Sequence, residues 1–195
     1  MNSAPEPTAV VNPWNLPNAL TVLRIVLVPL FVVVFLADDG ADTSMRIWAA
    51  LIFLVAIATD WLDGDLARRQ GLVTDFGKIA DPIADKALIG AALICLSLVD
   101  ELAWWVTVVI LVREVGVTVL RFVVLRRGVI PASRGGKLKT VLQSVGLVLL
   151  ILPLTGFLDT VGLLVMYLAL IVTVVTGVDY VVQAWRLWRS TNGAP

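Results

Sequence analysis

Asp60-Trp61-Leu62-Asp63-Gly64-Asp65-Leu66-Ala67-Arg68, followed after eight residues by Gly77-Lys78-Ile79-Ala80-Asp81-Pro82-Ile83-Ala84-Asp85, is the stretch on which the reading of this chain turns. On both sides of it the sequence is a succession of long apolar runs. Carboxylates set among such runs are costly unless they hold cations or do chemistry. Asp60, Asp63, Asp81 and Asp85 therefore read as a functional site, and the apolar runs as the frame that carries it.

The frame is too oily for a soluble domain. The chain of 195 residues is 59% hydrophobic, against about 45–50% for soluble proteins, and its mean hydropathy is +0.94. Six apolar runs, near 19–37, 45–68, 78–99, 102–127, 137–157 and 161–187, each approach the roughly 20 residues that span a bilayer as helix. The expectation is an all-α integral membrane protein of six transmembrane helices, preceded by a short interfacial segment around Trp14 to Asn18. A single domain over 14–189 is expected, with flexible tails at 1–13 and 190–195.

Net charge is zero, but the charges separate along the thread. With a cytoplasmic N-terminus, Arg68, Arg69, Lys78, Arg126, Arg127, Arg134, Lys137, Lys139, Arg186 and Arg189 fall on one side. Asp38, Asp39, Asp42, Asp100, Glu101 and Asp159 fall on the other, with Arg46 as the only base. The positive-inside rule then puts both termini and the acidic motif at the cytoplasmic face of the cell (inner) membrane. Trp48, Trp104, Trp105, Trp185 and Trp188, near helix ends, read as interfacial anchors.

Histidine is absent, which excludes imidazole acid–base catalysis and imidazole metal sites. The lone Cys95 excludes an intramolecular disulfide. Oxygen donors remain, and these favour hard cations such as Mg²⁺ or Mn²⁺. On helices, Asp60 and Asp63 share one face, as do Asp81 and Asp85. A hairpin through the loop 69–77 brings the pairs together, and four such carboxylates call for one or two divalent ions between them. Gly64 and Ala67 leave room beside Asp63 for a ligand, and Arg68 offers a planar donor fork to phosphate oxygens. Asp65, on another face, and Asp75, in the loop, read as solvated or capping groups.

The pattern Asp60-x2-Asp63-Gly64-x2-Ala67-Arg68-x8-Gly77-x3-Asp81-x3-Asp85 resembles the complete signature of the CDP-alcohol phosphatidyltransferases. The resemblance implies a homodimeric membrane enzyme that transfers the phosphatidyl group of a CDP-lipid to an alcohol and releases CMP. It implies Asp60, Asp63, Asp81 and Asp85 as ligands of two metal ions, Asp85 also as the base for the acceptor hydroxyl, and Gly64, Ala67 and Arg68 as the CDP pocket.

The acceptor is read from a second basic region. Arg113 and Arg121 are intramembrane cations eight residues apart on one helix, with Glu114 beside Arg113. Lys137, Lys139 and Thr140 open the fifth helix, at an end that favours anions. Arg113, Arg121, Lys137 and Lys139 are the candidate ligands of an acceptor that carries its own phosphate. Pro17-Asn18-Ala19-Leu20-Thr21-x2-Arg24, Arg113-Glu114 and Ser133 to Thr140 resemble, within the family, the phosphatidylglycerophosphate synthases. That resemblance implies CDP-diacylglycerol and sn-glycerol 3-phosphate as substrates. Synthases that use inositol phosphate, and cardiolipin synthases that use phosphatidylglycerol, share most of these outer motifs. A membrane prenyltransferase would want its two acidic motifs far apart in the chain, and a cation channel or transporter would leave Arg68 and the Lys137 cluster without a role. Nothing in the sequence points to nucleic acid.

Overall fold

Each apolar run forms a helix, as backbone that must satisfy its own amides away from water does. The computed structural model describes residues 16–70, 75–125 and 134–192; for 17, 61–70, 75–79, 81, 122–125, 134 and 190–192 it describes the backbone alone. The helices are α1 (Leu16–Phe35), α2 (Thr43–Gln70), α3 (Asp75–Leu98), α4 (Trp104–Leu125), α5 (Arg134–Ile151) and α6 (Phe157–Asn192). A 3-10 turn over Ala37–Gly40 joins α1 to α2, and no strand occurs among the described residues. Trp14 and the segments 1–13 and 193–195 lie outside the described residues.

Helix starts differ from expectation for local reasons. Asp42 Oδ1 accepts the amides of Ser44 at 2.7 Å and Met45 at 3.0 Å, an N-cap that starts α2 at Thr43. Asp75 is the first residue of α3 and so does not lie in the connecting loop. An acid there suits the partial positive charge of a helix N-terminus. The α1–α2 turn is tight enough to need positive φ at Asp38, Asp39 and Gly40, where a Cβ on Gly40 would meet Val99 Cγ1 at 3.0 Å.

The two ends of the bundle are distinct. At one end Arg46, from the start of α2, pairs with Glu101 in the α3–α4 turn, where its Nη2 lies 2.6 Å from Oε2. The same guanidinium donates to the carbonyls of Leu150 and Ile151, which end α5. These contacts gather alternate helix ends on one side, as an up-and-down thread requires, and they use the only base expected there. The apolar core fills this half: Phe31 lies 5.7 Å from both Phe35 and Phe53, in a buried cluster that also holds Leu93, Leu96 and Leu147.

Outward, Val33, Val112, Leu164 and Val175 stay exposed along the helices, as side chains that face lipid do. In α1, α2 and α6 the apolar stretches Asn18–Phe35, Thr43–Asp60 and Phe157–Arg189 are long enough to cross a membrane. Comparable stretches of α3, α4 and α5 are interrupted by charge: Asp81, Asp85 and Lys86; Arg113, Glu114 and Arg121; Arg134, Lys137 and Lys139. The protein is an all-α membrane protein, and the three helices interrupted by charge all contribute side chains to its site.

Candidate active site

Opposite the apolar core, α1 turns a polar face inward. Asn18, Thr21 and Arg24 are spaced three apart and all are buried. Arg24 is fully enclosed, and its Nη1 lies 2.7 Å from Asp60 Oδ1 in the C-terminal half of α2. Asp60 is half-exposed and Asp85, on α3, half-buried, and they stand close enough for each carboxylate to feel the other's charge. Asp63 and Asp81 occupy the helical turns next to them, on α2 and α3 respectively. The side chains of Asp63, Gly64, Ala67, Arg68 and Asp81 lie outside those described. No cluster of three or more acids that could hold a metal occurs among the described residues. The donors at this end are nevertheless carboxylate oxygens on two successive helices, a chemistry that fits a hard divalent cation.

Beside Asp85 opens a cavity of about 470 Å³ walled by α3, α4, α5 and α6. Five cations line it, Lys86, Arg113, Arg121, Lys137 and Lys139, against three acids, Asp85, Glu114 and Asp179. The surplus of two positive charges in a partly desolvated cleft attracts a dianion.

Glu114 organises this wall. Its Oε1 takes Lys139 Nζ and, at 3.0 Å, Arg113 Nη1, while Lys86 Nζ stands 3.9 Å from Oε2. Arg113 is fixed further by α6: Nε donates to the Thr173 carbonyl at 3.1 Å and Nη2 to Thr176 Oγ1 at 2.9 Å. Gly177 makes this possible, because a Cβ there would sit 3.0 Å from Arg113 Cγ. Arg121 lies over the Tyr180 ring at 5.9 Å, within cation–π range. Thus all four expected acceptor cations line one cavity, but Arg113 and the buried Lys139 are paired with Glu114, whereas Arg121, over the Tyr180 ring, and Lys137 remain exposed to it.

Sequence reasoning passed over several residues that the structure brings in. Lys86 follows Asp85 directly. Asp179, Tyr180 and Gln183 continue a polar face begun at Thr173 and Thr176, a helical periodicity that an apolar window over α6 averages away. Arg24 closes the segment Pro17 to Arg24, yet its partner Asp60 lies 36 residues on and no local pattern links them.

The match to the model of the CDP-alcohol phosphatidyltransferase family covers residues 14–175. A "Probable phosphatidylglycerophosphate synthase" of Mycobacterium tuberculosis (strain H37Rv) is 55% identical over 172 residues, 88% of this chain and 82% of that protein. A "CDP-diacylglycerol--glycerol-3-phosphate 3-phosphatidyltransferase" of Bacillus subtilis (strain 168) is 38% identical over 92% of this chain and all of its own length. One of the same description from Rickettsia typhi is 40% identical over 85% of this chain and 94% of that protein. The match runs through both acidic helices and all five cations of the cavity beside them, and on it this chain belongs to the CDP-alcohol phosphatidyltransferase family.

Proposed function

We propose that this protein transfers the phosphatidyl group of CDP-diacylglycerol to sn-glycerol 3-phosphate, giving phosphatidylglycerophosphate and CMP. The observation that carries the reading is the cavity beside Asp85 with its surplus of two positive charges. An acceptor phosphate is a dianion near neutral pH, and choline or ethanolamine would meet a wall of like charge. The names and high identity of the relatives support glycerol 3-phosphate over other phosphorylated acceptors.

In this reading the exposed Arg121 and Lys137 bind the acceptor phosphate, and Glu114 holds Lys139 and Arg113 in place behind them. The acceptor's terminal hydroxyl reaches Asp85, whose carboxylate takes the proton as the hydroxyl oxygen bonds to the phosphorus that carries diacylglycerol. The bond from that phosphorus to the oxygen of CMP breaks, and CMP leaves. Gly64, Ala67 and Arg68 cradle the CDP moiety. Asp60, Asp63, Asp81 and Asp85 would hold Mg²⁺ or Mn²⁺, two ions in all. When bound, the metal neutralises charge on the diphosphate and on departing CMP. Arg24 keeps Asp60 oriented. The enzyme works as a homodimer in the cell membrane with this end of the bundle at the cytoplasmic face.

The test is an acceptor panel. Purified protein receives CDP-diacylglycerol and Mg²⁺ or Mn²⁺ with glycerol 3-phosphate, inositol phosphate, serine or phosphatidylglycerol, and the lipid formed is identified. Phosphatidylglycerophosphate from glycerol 3-phosphate is expected. Product from inositol phosphate with none from glycerol 3-phosphate would overturn the choice of acceptor.

A further inference from the structure

Behind the main cavity lies a second chamber of about 90 Å³ that shares Asp85, Lys86, Glu114, Lys139 and Thr140 with it. Its own wall adds three apolar residues, Ile89, Leu111 and Val115, and one polar residue, Gln143. Gln143 stands on α5 four residues after Lys139, so the two share a helix face, with Gln143 one turn deeper. It is 2% exposed, and its amide nitrogen Nε2 has no hydrogen-bond partner among the described residues.

A buried amide donor left unpaired is a standing cost, and native proteins keep few of them. Nothing in the packing calls for one here: leucine or methionine would fill the same space against Ile89, Leu111 and Val115. The chamber has room for a hydroxyl-bearing carbon or two but not for a sugar ring, and Asp85 lies on the boundary between it and the main cavity.

Resting on glycerol 3-phosphate as the acceptor, we propose that Gln143 is a specificity-determining residue, its Nε2 donating a hydrogen bond to the middle hydroxyl of the acceptor. The terminal hydroxyl then faces Asp85 and the phosphate stays with Arg121 and Lys137. An acceptor without the middle hydroxyl leaves the amide unpaired, a situation that buried polar sites reject strongly. Gln143 thus selects a vicinal diol, a distinction that the cations of the outer cavity cannot make because they read only the phosphate.

The experiment compares kcat/KM for glycerol 3-phosphate and for 3-hydroxypropyl phosphate, which lacks the middle hydroxyl, in the full-length enzyme and in Gln143→Leu and Gln143→Met. The native enzyme should favour glycerol 3-phosphate by about tenfold or more. Both variants should lose that preference, with glycerol 3-phosphate turnover falling towards an unchanged rate on the analogue. CDP-diacylglycerol binding should be retained in both. An equal fall on both acceptors, loss of CDP-diacylglycerol binding in both variants, or a preference that survives substitution would each overturn the proposal by assigning Gln143 a packing role or none. A native enzyme that uses both acceptors equally well would also overturn it, while leaving the acceptor reading intact. A native enzyme that uses neither, yet makes lipid from inositol phosphate, would sink the acceptor reading itself.

Discussion

At the scale of single residues, the site sorts its charges by whether the protein already holds them. Arg113 and Lys139 are held by Glu114, with Arg113 also bound to Thr173 and Thr176, whereas Arg121 and Lys137 face the cavity. Removing the two kinds should therefore have different effects. Arg121→Ala and Lys137→Ala should each raise KM for glycerol 3-phosphate about 10- to 100-fold, the loss of one charge-assisted contact, with KM for CDP-diacylglycerol unchanged in steady-state assays. Glu114→Gln leaves two enclosed cations without their anion and should lower stability by roughly 3 kcal/mol, read as a fall in the unfolding midpoint in detergent. Asp85→Asn should cut kcat about 10²- to 10⁴-fold while CDP-diacylglycerol still binds; full turnover would remove Asp85 as the base. Sequence alone brought out the four cations because charge inside apolar runs is conspicuous. It could not divide their labour, since Lys139 meets Glu114 from 25 residues away on another helix and the further partners of Arg113, Thr173 and Thr176, lie some 60 residues away on α6.

At the scale of elements, all six helices were legible from apolar runs of membrane length, and their errors are instructive. α2 begins earlier than its apolar run because Asp42 caps it, and α3 begins at Asp75 because an acid suits a helix start. In both cases polar residues that resemble loop in a hydropathy reading belong to the helix or its cap. The α4–α6 contact was not legible, because it depends on a glycine whose role shows only in three dimensions. Gly177→Ala should push Arg113 off the Thr173 carbonyl and lower kcat/KM for the acceptor several-fold in the same steady-state assay. Gly116→Ala on α4, where a Cβ meets nothing within 4 Å, should leave kcat/KM unchanged and add up to about 1 kcal/mol of stability. Equal behaviour of the two variants would remove the close approach at Gly177 as their difference.

At the scale of the molecule, the bundle divides into an apolar half stitched by Arg46 and a polar half that holds the site. The acidic signature was legible because Asp60 to Asp85 is contiguous in sequence; the cavity beside it was legible only in part, because α6 contributes Asp179 and Tyr180 from far along the chain. The orientation proposed from charge is open to labelling, since the only cysteine, Cys95, is buried. A membrane-impermeant thiol reagent should label Asp39→Cys in intact cells, and Arg189→Cys only after permeabilisation. The reverse pattern would invert the topology.

The proposed reaction is a group transfer with a fixed stoichiometry, so it is tested most directly by following both products at once. With radiolabelled glycerol 3-phosphate, CDP-diacylglycerol and Mn²⁺, the purified enzyme should release one CMP for each glycerol 3-phosphate that enters lipid, and chelation of the metal should stop both together. CMP released without labelled lipid, or labelled lipid formed without CMP, would contradict it.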